Sequence, residues 1–282
     1  MIDLHAHTDR SDGTFTPAEL VAEARRVGLR ALAITDHDTF AGYDAAIPIA
    51  AEAGLELICG IELSTRYQGG SVHLLGYFPA TPPSEKLRAW LDWMLAMRRD
   101  RNIRLIAKLQ SLGVDITLQE VEKLGRTLTA RPHFAQVLVA KGYAKDIQNA
   151  FDRYLDESAR AFVQRQEATM EEALERILES GGVPSLAHPV RVAKNNWEKL
   201  AAYVEDLAGL GLRAIEVYHS DHSPENVSYY ATLAERFQLG ATGGSDFHGG
   251  NKPLISLGTG KGNNLHVPDS VLENLKDLAS KA

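Results

Sequence analysis

The chain has 282 residues, a formal net charge of −7 and one cysteine, Cys59. That length suits one large domain, or one domain carrying a sizeable insertion. The charge and the lack of any long basic run exclude an electrostatic track for duplex DNA, and no apolar run approaches membrane-spanning length. A single thiol removes a disulfide framework and points to a cytoplasmic setting, while the functional-looking strand at the very start argues against a signal peptide.

Ile2-Asp3-Leu4-His5-Ala6-His7 reads as a strand ending in two imidazoles one residue apart. Side chains two positions apart on a strand share a face, so His5 and His7 aim at one point, and imidazole is the commonest protein ligand for transition metals. Ser11-Asp12-Gly13 has turn chemistry. Thr16-Pro17-Ala18-Glu19 starts a helix with a capping box and proline at its first position, and Gly28 ends it. Residues 31–35 form an apolar strand running into Asp36-His37-Asp38. A second helix from about 42 closes at Gly54, a strand over 55–61 delivers Glu62, and a hairpin-like return over 71–77 carries His73. Each strand brings an acid or an imidazole, the placement found in α/β barrels, whose active sites sit at the carboxyl ends of parallel strands.

The pattern changes after a linker at 79–83. Residues 84–111 read as one long helix, with Leu87, Trp90, Met94, Leu105 and Leu109 along an apolar side. Thr117 to Glu120 is a second capping box, opening a helix to Gly125; Arg131-Pro132-His133-Phe134 opens another to Gly142; a fourth covers 146–155. Residues 81–165 are therefore expected to be an all-helical insertion between two barrel segments, 1–80 and 166–282. Strand–helix alternation resumes with a helix over 170–180 and a strand over 183–187 ending in His188-Pro189. A helix over 197–210 precedes a strand over 214–218 ending in His219. A helix over 224–237 precedes a strand over 239–244 ending in Ser245-Asp246-Phe247-His248, and a closing helix runs from about 268.

The strand ends collect His5, His7, Asp12, His37, Glu62, His73, His188, Asp246 and His248, more mixed imidazole and carboxylate donors than one metal can use. They suit two or three borderline divalent cations per chain, which would convert bridging water to hydroxide at neutral pH and steady phosphoryl oxygens. Alone, Asp12 and His188 could be turn residues, His37 a helix-entry residue and His73 a satisfied core histidine. Glu62 is hardest to dismiss, because a carboxylate after an apolar strand needs solvent or a partner. Asp36 and Asp38 are assigned to orienting imidazoles.

On the substrate side, Arg131 and His133 fall at a helix N-terminus, where free N–H groups and the dipole favour an anion, and Arg131 adds a bidentate fork. Lys141, near the far end of that helix, is assigned to the same groove. These residues are expected to grip an anion such as a phosphate, which becomes the second, non-reacting phosphate of the substrate that the family resemblance below implies. His219 and His222 lie at the sixth strand end, one as general acid for the leaving alcohol, or as a lip residue binding substrate phosphate. His266 reads as ordinary surface.

In this order, D-L-H-A-H-T, S-D-G, T-D-H-D, G-I-E, V-H-L-L-G-Y, A-H-P and G-S-D-F-H resemble the successive motifs of the PHP (polymerase and histidinol phosphatase) family. The resemblance covers the chain outside the insertion. The insertion, with R-P-H-F, is similar to the subgroup that includes 3′,5′-nucleotide bisphosphate phosphatases and 5′→3′ exoribonucleases. It implies a distorted seven-stranded (β/α) barrel holding up to three metals. One would take His5, His7, Glu62 and Asp246; a second would share Glu62 and take His73 and His188; a third would take Asp12, His37 and His248. Some relatives have His at the Asp12 position, which leaves the metal open, with manganese ahead of iron or zinc. The implied activity is metal-dependent phosphoester hydrolysis by metal-hydroxide attack. The substrate is then a nucleoside 3′,5′-bisphosphate losing its 3′-phosphate, or a short 5′-phosphorylated oligonucleotide. Three alternatives stand: a histidinol-phosphate or other small-metabolite phosphatase, a polymerase-linked proofreading module, and a metal-loaded binding or regulatory domain without turnover.

Overall fold

The computed structural model describes residues 1–125, 129–164, 167–193 and 196–281; the expected domain boundary at 165–166 lies outside them. β1 (Ile2–Ala6) pairs in parallel with β2 (Ala31–Ile34), and β2 with β3 (Glu56–Tyr67). The crossovers are α1 (Pro17–Arg26) and α2 (Ala41–Ala53). In α1, the Thr16 and Glu19 side chains satisfy each other's backbone N–H groups as the sequence predicts. β4 (Gly70–Phe78) returns antiparallel to β3 across Gln68 and Gly69, whose φ values of 46° and 80° give the left-handed two-residue turn that matches strand twist.

Four helices follow: α3 (Glu85–Ser111), α4 (Leu118–Gly125), α5 (Arg131–Ala140) and α6 (Ile147–Ala150). The helix expected over 146–155 is α6 continued by a π turn, Phe151–Leu155. The chain re-enters the sheet through β5 (Ala168–Thr169), a two-residue strand on β3 that the sequence does not announce, and then α7 (Met170–Glu179). The rest is β6 (Val183–Leu186), α8 (Val190–Ala193), α9 (Trp197–Gly209), β7 (Ala214–His219), α10 (Pro224–Arg236), β8 (Gly240–Gly244), the small hairpin β9 (Ile255–Ser256) and β10 (Gly260–Lys261), and α11 (Asp269–Ser280).

Strand order in the main sheet is β1-β2-β3-β4-β6-β7-β8. β8 comes back to β1, where Asp246 N–H donates to His5 O at 2.8 Å and His7 N–H to Phe247 O at 2.9 Å. The result is a nearly closed barrel of seven strands, in which only β4 runs antiparallel to its neighbours β3 and β6. This reversal places the amino-terminal half of β4, with His73, at the end where the parallel strands finish. Closure demands close approach: a Cβ on Gly244 would lie 2.2 Å from the His5 nitrogen. Asp3, fully buried, fixes the seam by accepting N–H groups from His5, Ser245 and Gly258 at 3.2, 2.9 and 2.7 Å.

The chain divides into two compact units, Met1–Ala89 with Ala168–Ala282, and Trp90–Glu167. In the first, Ile2, Leu4, Leu75, Tyr77 and Val183 pack with Val271, Leu272 and Leu275 of α11. A separate cluster sets Ala6, Leu32 and Ile34 against Leu20, Val21 and Ala24 of α1 and Ala46 and Ala50 of α2. The second unit has its own core, in which Leu105 and Leu109, one helical turn apart, meet Val121, Phe134, Leu138 and Leu155. Among the described residues no helix is long and apolar enough to cross a membrane.

Candidate metal centre

Glu62 lies within β3 and 1% exposed, at the barrel end where β2 has already stopped. Each of its oxygens meets imidazoles. Oε1 stands 2.8 Å from His73 Nδ1 and 2.9 Å from His188 Nε2. Oε2 stands 3.1 Å from His7 Nε2, 3.2 Å from His5 Nε2 and 3.5 Å from His37 Nδ1. The alternation that aimed His5 and His7 at one point is thus realised.

Asp246 and His248 do not repeat that extended alternation, because Asp246 has φ 58° and breaks it. The two side chains consequently serve different groups. Asp246 Oδ1 joins His5, His7 and Glu62, whereas His248 Nε2 lies 3.2 Å from Asp12 Oδ1, beside His7 and His37. In each of four sets, the donor atoms lie within 4.8 Å of one another: His7, Asp12, His37 and His248; His5, His7, Glu62 and Asp246; His37, Glu62 and His73; and His5, Glu216 and His219. Asp12 reaches His7 because the 8–13 turn folds back on itself: Gly13 N–H donates to Thr8 O at 2.9 Å, and a Cβ on Gly13 would collide with His7 O at 2.4 Å. Asp36 anchors that turn, accepting from Thr8 N–H, Thr8 Oγ1 and Ser11 Oγ at 2.8, 2.6 and 2.6 Å, so its hold on His7 runs through Ser11. Asp38 accepts from Ser64 N–H at 2.8 Å.

Three strand-end residues, Asp38, His188 and Asp246, have φ values of 55°, 28° and 58°. Each such conformation costs about 1–3 kcal/mol and persists only where the surroundings fix it. Their amides are fixed: Asp38 N–H donates to Glu62 O, His188 N–H to Glu216 Oε2 and Asp246 N–H to His5 O.

The electrostatics divide the site. Burial raises the Glu62 carboxyl, but His37, His73 and His5 outweigh it and hold the group well below the ordinary range. Asp246 is held well below by the same contest, burial against His219, His7, His5 and His248. Burial lowers the His5 imidazole, yet Glu216 and Glu62 hold it well above normal. His7 is likewise lowered by burial but pushed up to about 9 by Asp246, Glu62 and Asp12. At His37 and His188 burial wins and drops the rings to about 4. The carboxylates are therefore ionised, and protons sit on some rings in positions a cation could take.

These residues fit divalent metal. The buried atoms His7 Nε2 and His37 Nδ1 have no hydrogen-bond partner although carboxylate oxygens face them, and the donors are the nitrogen and oxygen mixture that borderline cations favour.

The remaining expected residues are placed as follows. His219 Nδ1 accepts the Asp221 N–H at 3.0 Å, which leaves the proton on Nε2, 3.5 Å from Asp246 Oδ2. His222 is buried behind it: Nδ1 donates to Val217 O at 2.8 Å, and the ring packs on His219 and Tyr230. In the second unit, Arg131 begins α5 with its guanidinium over the Phe162 ring, and His133 Nδ1 accepts the Ala130 N–H at 3.0 Å. Lys141 follows the other end of α5, its ammonium 2.7 Å from Glu120 Oε1. His266 is exposed.

Sequence reasoning missed Glu216, fully buried in β7, whose Oε1 lies 2.8 Å from His5 Nδ1. Its signal was a lone carboxylate between Ile215 and Val217 in an apolar strand, where a charge needs a partner. Arg191 and Lys252, both touching Asp246, were also missed.

A profile of the PHP domain matches residues 3–210. The chain is 35% identical over 272 residues to a 5′-3′ exoribonuclease of Haemophilus influenzae, covering 96% of each chain. It is 33% identical over 253 residues to a 3′,5′-nucleoside bisphosphate phosphatase of Chromobacterium violaceum, covering 88% of this chain and 87% of that one. A crystal structure from Bifidobacterium adolescentis, provisionally described as a metal-dependent phosphoesterase, superposes with a TM-score of 0.78 at 32% identity, over 98% of this chain and 96% of that one. The chain belongs to the PHP domain family and is an enzyme of the metal-dependent phosphoric ester hydrolase class.

Proposed function

We propose that the enzyme removes the 3′-phosphate of nucleoside 3′,5′-bisphosphates, and that short 5′-phosphorylated oligonucleotides are a second substrate for the same centre. The observation that carries this reading is the crowding of five imidazoles on the two oxygens of Glu62. A carboxylate so placed can serve two adjacent cations. Divalent cations held there, with manganese favoured, would acidify bound water and neutralise charge on phosphoryl oxygens. Glu62 and Asp246 supply the anionic ligands, His5, His7, His73 and His188 the neutral ones, and Asp12, His37 and His248 a further set. His219 holds its proton on Nε2, facing Asp246, and is assigned as the acid for the leaving alcohol; the buried ring of His222 supports it. Arg131 and His133 are assigned to the second phosphate, on the strength of their place at the start of α5. Similarity to a bisphosphate phosphatase and to an exoribonuclease over most of the chain supports both substrates.

The test is phosphate release after reconstitution with manganese. Adenosine 3′,5′-bisphosphate should be turned over with a higher kcat/KM than histidinol phosphate. A preference for histidinol phosphate would move the assignment to the small-metabolite phosphatases. Metal uptake with no turnover of any phosphate ester would make the chain a binding domain.

A further inference from the structure

A shallow groove opens between the segments that follow β6 and β7. Pro189, the residue after His188, lines it together with Tyr230 of α10. The Tyr230 ring is 4.8 Å from that of His222, which is 5.0 Å from that of His219, so the groove begins at the edge of the centre. Trp197, the first residue of α9, and Tyr229 of α10 add an aromatic pair. Their ring centroids are 4.0 Å apart with the planes at 57°, and the Tyr229 hydroxyl donates to Trp197 O at 2.7 Å. Trp197 is 37% exposed, a large apolar ring left open to solvent. Asn196 and Asn226 also line the groove. Asn196 Oδ1 accepts the Lys199 N–H at 2.9 Å, and Asn226 Oδ1 accepts the Ser223 N–H at 3.1 Å. With each oxygen committed, what either amide has left for a ligand is its NH2 group. Among the described residues lining the groove, none is charged.

The lining selects the class of occupant. A phosphate or a cation gains nothing from uncharged walls. A flat ring with acceptor atoms on its edge gains stacking on the aromatic pair and hydrogen bonds from the amide donors. An unpaired nucleobase is such a group, since every base has a π-face and edge acceptors. The reaction says which base. Loss of a 3′-phosphate and release of a 5′-terminal nucleotide break the same bond, between phosphorus and the 3′-oxygen. Water adds its oxygen to phosphorus, and the departing 3′-oxygen takes a proton. The two substrates differ only in what the phosphorus carries beyond it. A bisphosphate carries nothing there. An oligonucleotide carries the next nucleotide, which stays attached to the phosphate on the centre and has to rest against the adjoining rim. The groove starts one residue after His188.

We propose that Trp197 and Tyr229, with the amides of Asn196 and Asn226, form a stacking platform for the base of the nucleotide downstream of the scissile phosphate, so that the groove serves oligonucleotides and not bisphosphates. The platform rests on the phosphoesterase reading above. It accepts any base, because stacking does not read sequence, and it accepts only a single strand, because a duplex keeps its bases stacked and paired.

The experiment uses the full chain, loaded with manganese, in wild type, Trp197→Leu, Tyr229→Leu and Trp197→Phe. Three substrates are compared: adenosine 3′,5′-bisphosphate, the 5′-phosphorylated dinucleotide of adenosine, and the same dinucleotide lacking its second base. Wild type should cleave the intact dinucleotide with a kcat/KM about tenfold above that of the abasic one, the scale of one stacked base. The ratio should fall to near one in both Leu variants, and Trp197→Phe, which keeps a ring, should retain most of it. Every variant should keep its kcat/KM on the bisphosphate within about twofold of wild type. A ratio unchanged in both Leu variants overturns the platform and leaves the rings as a contact surface for a protein partner. Equal losses on all three substrates also overturn it, making the rings a mere support for their loops. Binding is read apart from turnover by calorimetry, with dinucleotides whose bridging 3′-oxygen is replaced by methylene. The intact one should bind wild type about tenfold more tightly than the abasic one, and the two should bind Trp197→Leu equally. A wild type that shows this binding difference but hydrolyses no ester keeps the platform and removes the phosphoesterase reading. A wild type that hydrolyses the bisphosphate but treats the two dinucleotides alike removes the platform alone.

Discussion

Glu216 holds two candidate ligands at once: its Oε1 is 2.8 Å from His5 Nδ1, and its Oε2 accepts the His188 N–H at 2.6 Å. Burial raises this carboxyl, but His5 and His219 outweigh it and bring it to about 2, so it is an ionised acceptor at neutral pH. His5 Nδ1 therefore donates, and Nε2 is left to face Glu62. Glu216→Gln presents one oxygen and one NH2. With the oxygen kept on the His188 N–H, the NH2 meets His5 and favours the tautomer that cannot ligate through Nε2. Metal affinity should fall by about 10–100-fold, the usual effect of losing such a partner, while circular dichroism remains that of the wild type. Chelator competition measures it, and an unchanged affinity would remove the orienting role.

The protons on the rings give a pH dependence with a defined sign. His7 is raised from 6.5 to about 9 in the folded protein, so in the absence of metal its pairing stabilises the fold fully below pH 6.5 and is lost as pH rises toward 9. His37 and His188 are lowered to about 4, so the unfolded chain takes up their protons first and stability falls as pH drops from 6.5 to 4. Metal-free protein should melt highest near pH 6.5 and lower on either side. Because a cation must displace the protons of His7 and His5, both held above normal, manganese affinity should climb between pH 6.5 and 9 by about tenfold per unit for each proton released. Titration in buffers of different ionisation heat reads the proton count. Zero release at pH 7.5 would mean that His7 is not a ligand.

The second unit carries its own test. Arg131→Ala should raise KM for a nucleoside 3′,5′-bisphosphate by about tenfold, the scale of one lost charge-assisted phosphate contact, and leave a generic aryl phosphate within about twofold. Equal losses on both substrates would take Arg131 out of phosphate recognition. Lys141, expected in the same groove, is tested in the same way: Lys141→Ala should raise KM for the bisphosphate and leave the aryl phosphate unchanged if it shares in phosphate recognition. It sits past the opposite end of a ten-residue helix and is already paired with Glu120.

Residues whose role follows from local chain geometry were legible in the sequence. His5 and His7 share a strand face, Thr16 and Glu19 form their box within one turn, and Glu62 follows an apolar run that cannot by itself accommodate a charge. What was not legible depends on neighbours distant in the chain or on long side chains. Glu216 acts through His5, 211 positions away. Arg191 and Lys252 reach their target through flexible stems, so their strand-relative position says nothing of where the charge lands. His222 reads as a rim residue from its turn, and only tertiary packing on Tyr230 buries it. The different faces of Asp246 and His248 depend on a single left-handed φ, which aspartate tolerates better than most residues but which the local sequence does not require.

If Glu62 joins adjacent cations, as proposed, metal analysis of wild type beside Glu62→Gln will read it as a change in the number of ions held. After manganese loading and desalting, wild type should retain at least two ions per chain. Glu62→Gln should retain no more than one and release phosphate from adenosine 3′,5′-bisphosphate about a thousandfold more slowly. A Glu62→Gln protein with the wild-type metal content and the wild-type rate would contradict the account.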